Sequence, residues 1–356
     1  MNRRAYLAVL GVALAGCTGS EETSTEPPTA APTAAPDETE VPGEDSTEEP
    51  PETEEPPETD EPEGTPSEAE AASSHIDTAG RYLDEAVAAF SASGDDLLAA
   101  DGSVEPNEGA GVAALASMET ELTDAEPHAT ADQQATINDL RHLRAYLGTL
   151  LSVQAEAHSL WRAANDGVDA GISEEFDDLN DVLARIDDHR ISIEEALDSL
   201  AEEPDPEATA ASDAITEAEY TGKPEQFADE IATAGAIYDA LQPIKTGMAE
   251  LAEGTDFYTA GSLSNAEITY WAAYGEFKNA LAAVPEDPVD AYEPAVEDLA
   301  CFLGAVEAAT DLMERSARLG RERVSEDEAQ EILEGCDLVA QSPTASTLLS
   351  WLQDRR

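Results

Sequence analysis

From His75 to the C-terminus, apolar residues recur every three or four positions, and this spacing restricts the chain to helices. Alanine is abundant, and strand-like alternation of apolar and polar residues is absent. A period of this kind places apolar side chains on one face of an α-helix. One such stripe consists of Leu140, Leu143, Leu147, Leu150 and Leu151. The sequence therefore predicts an all-α fold.

Helix-start signals divide this pattern into elements. Thr130 with Gln133 and Ser325 with Glu328 have capping-box spacing, and Asp287 precedes a proline suited to a first helical turn. The predicted main helices cover about residues 68–100, 110–125, 131–165, 173–201, 225–253, 262–284, 288–319 and 326–341. Segment 165–169, which contains a glycine, is expected to lie between two of them.

The chain also resembles itself at a nearly constant offset. Three segments recur in order, at offsets of 155, 156 and 152: 76–80 as 231–235, 146–148 as 302–304, and 172–175 as 324–327. These matches predict a tandem duplication. We expect two antiparallel four-helix bundles, residues 75–203 and 223–356, joined by a connector at 204–222. The alternative is one continuous helical solenoid.

Residues 1–17 have the layout of an export signal. Arg3 and Arg4 precede a short apolar run that ends in the tetrapeptide Leu14-Ala15-Gly16-Cys17. This is a charged region, an apolar region and a lipobox, so we expect cleavage before Cys17 and attachment of lipid to its thiol. The alternative is a transmembrane anchor, but about twelve apolar residues span only roughly 18 Å of a hydrocarbon core about 30 Å thick.

Residues 18–74 differ in composition from the rest of the chain. They contain 19 acidic residues and 11 prolines, with no lysine or arginine. Such a segment cannot bury enough apolar surface to offset its ordering entropy, and its charges repel one another. We therefore expect a disordered stalk that serves as a spacer.

Acidic residues also dominate the part that is expected to fold. Residues 75–356 contain 60 acidic and 15 basic residues, a formal net charge of −45, and lysine occurs only at Lys223, Lys245 and Lys278. Acid excess with lysine depletion resembles the proteins of salt-loving archaea, and the signal resembles those of their twin-arginine-exported lipoproteins. The charge argues against nucleic acid and against an anionic membrane surface as direct partners.

Cys301 and Cys336 are the cysteines that remain after the lipid site. In an exported protein they suggest a disulfide between the last two long helices. The expected helix starts, however, leave the two residues staggered by about 12 Å, which a disulfide cannot span unless the helices slide or the turn is longer. The sequence therefore leaves two alternatives, a disulfide between Cys301 and Cys336 or two buried free thiols.

Aromatic residues offer a weak candidate pocket. Tyr270, Trp271, Tyr274 and Trp161 could line a ligand site, although a core stripe explains the same spacing. The sequence shows no nucleophile–base set, phosphate loop, haem motif or metal-ligand spacing. We therefore expect no catalysis, no cofactor and no metal site.

Exported, duplicated helical bundles include the imelysin-like lipoproteins, which are linked to iron uptake, and the expected architecture resembles theirs. Their G-x-H-x-x-E motif is absent here, so no residue role is implied. The leading expectation is a lipid-anchored module on the extracytoplasmic face of the membrane that binds a protein or cell-envelope partner. The alternatives are a ligand- or metal-capturing component of an uptake system and an enzyme of unrecognised type.

Dialysis of the full chain from molar to low salt is expected to abolish its helical circular dichroism. At molar salt the Debye length is about 3 Å and screens the repulsion that destabilises so acidic a domain. A helical signal that survives at low salt contradicts this expectation.

Replacing the lipid-accepting residue, Cys17→Ser, should release the protein from the membrane fraction, because one thiol carries the whole anchor. The readout is the distribution of protein between membrane and soluble fractions. Continued sedimentation with membranes would rule out the lipobox interpretation.

Overall fold

A computed structural model of the chain describes residues 67–90, 96–202 and 204–355. Over these residues it is all-α, with ten α-helices, short 3₁₀ turns and no strand, which confirms the predicted class. The helices are α1 (Glu68–Ala88), α2 (Glu108–Ala125), α3 (Ala131–Ser173), α4 (Phe176–Glu202), α5 (Glu217–Leu241), α6 (Ile244–Thr259), α7 (Leu263–Ala283), α8 (Glu293–Arg318), α9 (Arg323–Glu334) and α10 (Pro343–Asp354).

Helix α3 is the centre of the fold. It is 43 residues long, about 64 Å, and it packs against α1, α2, α4, α5 and α8. Its start is the predicted capping box, in which the Thr130 hydroxyl accepts from the Gln133 amide and the Gln133 side chain accepts from the Thr130 amide. Its leucine stripe lies in the core, as at Leu143 and Leu150, which are fully buried.

The expected break at 165–169 is wrong, because α3 continues through it to Ser173. Gly167 and Gly171 are places of close helix approach and do not form a turn. A methyl group on Gly167 would lie 2.9 Å from Leu241 Cδ1, and one on Gly171 would lie 3.1 Å from Leu241 Cδ2. The two glycines thus let the end of α5 pack directly on the α3 backbone.

The first helix begins at Glu68, as its predicted range of about 68–100 required, and the stalk boundary at residue 74 is therefore wrong. A capping box starts this helix: the Glu70 side chain accepts from the Ser67 amide at 2.7 Å, and the Ser67 hydroxyl accepts from the Glu70 amide at 3.3 Å. Ala72 is already fully buried. Residues 18–66 of the predicted stalk lie outside the described residues.

Later boundaries differ from the sequence expectations for local reasons. Thr216 and Glu219 form a capping box that starts α5 inside the predicted connector, and the expected helix 225–253 is divided near Pro243. The predicted start at Asp287 is wrong because a 3₁₀ turn, Asp290–Tyr292, precedes α8 and buries Tyr292. The capping box predicted at Ser325 is also wrong, since this residue lies inside α9 and is buried.

All described residues belong to one compact unit, and one hydrophobic core runs through both predicted halves. Helix α3 contacts α8, and α10 contacts α6. Such contacts between helices distant in sequence differ from the neighbour-only packing of a solenoid. The duplication and the division into two bundles stay predictions.

One acidic side chain joins the end of α3 to the start of α10. Glu174 has φ 60° and ψ 30°, a left-handed conformation that directs the chain out of α3. Its carboxylate accepts from the hydroxyl of Ser342 at 2.6 Å, from the amide of Thr344 at 2.7 Å and from the hydroxyl of Thr344 at 2.6 Å. A carboxylate at a helix N-terminus also interacts favourably with the helix dipole.

We expect Glu174→Ala to lower the free energy of unfolding by about 2 kcal/mol, because three charge-assisted hydrogen bonds are lost and Ser342 is fully buried. Glu175→Ala is the matched control, since it removes the same charge from the neighbouring, exposed position and should cost less than about 0.5 kcal/mol. The measurement is denaturant unfolding at molar salt. Equal effects of the two substitutions would show that Glu174 does not hold α10.

Candidate functional site: the outer face of helix α7

Helix α7 is poor in charge compared with its neighbours. Its 21 residues include two acids, Glu267 and Glu276, and one base, Lys278. Helix α8, which packs against it, has 26 residues and contains six acids and two arginines. A helix with so few charges on a strongly acidic protein marks a surface of different chemistry.

Three sides of α7 are packed and the fourth faces solvent. The helix contacts α5, α6 and α8, and Tyr270, Ala273 and Phe277 are fully buried there. On the open side, Ile268 is 67% exposed and Trp271 is 68% exposed. Among the described residues these are the two most exposed large hydrophobic side chains, and they lie one helical turn apart.

Small residues and one lysine continue this side of the helix. Ala272 and Gly275 follow Ile268 and Trp271 by four positions each, and a methyl group on Gly275 would meet nothing within 4 Å. Lys278 lies one turn further, with its Nζ 5.5 Å from the centroid of the half-buried Tyr274 ring. We call these five residues, Ile268, Trp271, Ala272, Gly275 and Lys278, the α7 outer face.

The four candidate aromatics do not surround one cavity. Tyr270 points inward, where its hydroxyl donates to Thr255 Oγ1 at 3.2 Å and its ring meets the edge of Tyr258 at 6.1 Å. Burial raises the pKa of Tyr270 well above the ordinary phenol value. Trp271 points to solvent, so the two adjacent residues, about 100° apart around the helix axis, face the core and the solvent respectively.

Trp161 belongs to a different part of the molecule. It lies on α3, where its Nε1 donates to the carbonyl of Ala291 at 2.8 Å and its ring stacks on His158 at 5.8 Å. These contacts fix the side chain in the packing between α3 and the turn before α8. The structure therefore does not bring the four residues of the predicted pocket together: Tyr270 is buried, Trp161 and Tyr274 are half-buried, and Trp271 is exposed.

Cys301 and Cys336 form a disulfide, with their Cα atoms 6.1 Å apart. The expected stagger is absent because α9 begins at Arg323, two residues before Ser325, and the chain leaves the helix at Gly335. Cys336 has extended backbone angles, φ −121° and ψ 110°. An extended residue advances more than twice as far as a helical one, which moves Cys336 further towards the level of Cys301.

The signal residues Arg3, Arg4, Leu14, Ala15 and Gly16, and the lipid-accepting Cys17, lie outside the described residues. Across the part of the chain that the structure does describe, no helix is both long enough and apolar enough to span a bilayer.

Charged grooves are also present. One of about 690 Å³ beside the 3₁₀ turn Pro206–Ala211 is lined by several acids, Asp139, Asp205, Glu207, Asp213 and Glu217 among them. Within the described ranges, no group of three or more His, Cys, Asp or Glu side chains is arranged to hold a metal ion.

Sequence reasoning missed a second feature, a buried set of polar side chains around Lys223 and Glu230, both at most 1% exposed. Two signals pointed to it. Lys223 is one of three lysines in the whole chain, and Glu230 follows it by seven positions, which places both on one helical face with the apolar Phe227 and Ala234.

Comparisons with protein-family models, with curated proteins and with solved structures gave no match to this chain.

Proposed function

We propose that this protein is a membrane-anchored lipoprotein, exported through a twin-arginine signal and held by lipid on Cys17, whose helical domain binds a protein or cell-envelope partner through the α7 outer face. The observation that carries the proposal is the exposure of Ile268 and Trp271 on a charge-poor helix of an otherwise acidic protein.

The charge of the protein supports an apolar mode of recognition. At molar salt, charges more than about 3 Å apart are largely screened, so complementary charge contributes little attraction between two surfaces. Burial of apolar area keeps its driving force under the same conditions. In a salt-adapted protein, the surface that recognises a partner is therefore expected to be apolar, as the α7 outer face is.

The composition of this face also suits a protein contact. Tryptophan is enriched among the residues that dominate binding energy at interfaces, since its large ring buries much area at low entropic cost. Beside Trp271 and Ile268, the small Ala272 and Gly275 leave room for a partner to approach the helix backbone. A protruding aromatic next to a shallow depression fits a complementary surface better than a flat patch does.

The predicted stalk completes the proposal. A segment rich in proline and in like charges is extended, so it would hold the domain away from the membrane surface. The binding face would then meet partners in the envelope rather than lipid head groups.

The test is cross-linking and pull-down of the full chain from membranes at molar salt, with Trp271→Ala as the variant. We expect a reproducible partner whose recovery falls at least tenfold in this variant, the scale of a tryptophan at the centre of an interface. Circular dichroism of the variant should match that of the parent, because Trp271 is 68% exposed.

Val324→Ala is the matched control. Val324 lies on α9 and is 62% exposed, so its truncation removes exposed apolar surface away from α7 and should leave recovery unchanged. A partner captured equally by all three proteins would exclude the α7 outer face. A co-purifying metal or small molecule without any protein partner would favour the uptake alternative.

A further inference from the structure

A set of polar side chains is enclosed where α3 and α5 meet two connecting segments. It consists of Gln154 on α3, Lys223 and Glu230 on α5, and Tyr292 in the 3₁₀ turn before α8, and we call it the buried polar cluster. None of the four residues is more than 1% exposed. The connecting segment around Gly102 closes the cluster on a further side.

The ammonium of Lys223 has its partners within the protein. It donates to the carbonyl of Ala100 and, at 3.2 Å, to Gln226 Oε1, and it lies 4.3 Å from the centroid of the Phe227 ring. Burial lowers the pKa of Lys223, and the negative charges of Glu230 and Asp101 act in the opposite direction.

Four oxygens of the cluster have no such partner. Both carboxylate oxygens of Glu230, the hydroxyl of Tyr292 and Oε1 of Gln154 are buried without a well-aligned hydrogen bond, and the one backbone donor that acts on Glu230 is the amide of Gly102. Burial raises the pKa of Glu230, and the charge of Lys223 opposes this rise. An unsatisfied buried polar group is costly and rare in folded proteins, so several at one place indicate a ligand.

These oxygens converge on one short segment. The amide nitrogen of Gln154 donates to the carbonyls of Asp101 and Val104, at 2.7 and 3.1 Å. A methyl group on Gly102 would lie 2.7 Å from Glu230 Oε2. Trp161 brings the turn that carries Tyr292 to the same segment, because its Cβ would lie 3.4 Å from a methyl group on Gly102 and its Nε1 donates to the carbonyl of Ala291. The charges of Glu230 and Asp101 both raise the pKa of Tyr292, beyond the effect of its burial.

The unpaired atoms define what the occupant must supply. Three of them only accept hydrogen bonds, whereas the Tyr292 hydroxyl also has a proton to donate. Water donates two hydrogen bonds and accepts two, so it satisfies both kinds of atom. A metal ion would contact the oxygens but would leave the tyrosine proton unpaired, and the Lys223 ammonium would repel it.

We propose that Glu230, Tyr292 and Gln154 form an internal water-binding site that holds ordered water between α3, α5 and the turn before α8. The water bridges segments from both predicted halves of the chain. It is a structural component of the domain, because the protein leaves most of the hydrogen-bonding capacity of these buried oxygens unfilled.

The first test is Tyr292→Phe in the full-length chain, measured by denaturant unfolding at molar salt. If water bridges the hydroxyl, its removal should raise the equilibrium constant of unfolding by about tenfold. Tyr270→Phe is the reference variant, because it removes a buried hydroxyl that donates directly to Thr255. Its unfolding constant shows the effect of losing one buried hydrogen bond in this protein. An unchanged or lower unfolding constant in Tyr292→Phe would overturn the proposal, since loss of an unpaired buried hydroxyl costs nothing.

The second test does not depend on how the variant folds. Crystals of the full-length parent chain, grown once in potassium chloride and once in rubidium chloride, should show a peak 2.7–3.2 Å from the Tyr292 hydroxyl and from Glu230, without rubidium anomalous signal. The absence of a peak, or an anomalous peak at this place, would overturn the assignment to water.

Discussion

The close contact between α3 and the end of α5 is the interaction on which the rest of the structure depends. Gly167 and Gly171 bring Leu241 onto the α3 backbone, and α5 in turn contacts α4 and α7. The second half of the chain is thereby packed against the first along a helix that is buried on several sides. A larger residue at either glycine would force the Leu241 side chain or the helices to shift.

Repulsion between acids is visible in the folded structure as well as in the composition. Burial raises the pKa of Asp169, and the nearby charges of Asp166 and Asp298 raise it further. Arginines offset part of the repulsion, as where Arg141 bridges Glu119 and Glu126 at 3.3 and 3.0 Å. Such exposed pairs stabilise a protein by little. Most of the stability therefore comes from the apolar core rather than from these ion pairs.

The sequence predicted those features that local chemistry determines. Apolar spacing gave the helical class, and hydroxyl–amide spacing gave the start of α3 at Thr130. Sequence-based prediction failed where a contact between residues distant in sequence determines the local structure. Gly167 looks like a helix end until Leu241 is known to lie on it, and the spacing of Tyr270 and Trp271 does not say which of them faces the core. The start of the first helix near residue 68 was predicted, but its capping box at Ser67 and Glu70 was not recognised within the acidic segment.

Helix α3 also has a mechanical consequence. In the first turn of α3, the Gln133 side chain donates to the Ala69 carbonyl at 2.9 Å and to the Ser73 hydroxyl at 2.8 Å. These two hydrogen bonds attach the first turns of α1 to α3. At the C-terminal end of α3, Glu174 accepts a hydrogen bond from the first turn of α10. In the proposed anchored state, tension in the tether would enter the domain at α1, which packs mainly on α2 and also on α3. The disulfide between Cys301 and Cys336 joins none of these helices, so resistance to pulling would depend on non-covalent contacts rather than on the covalent link.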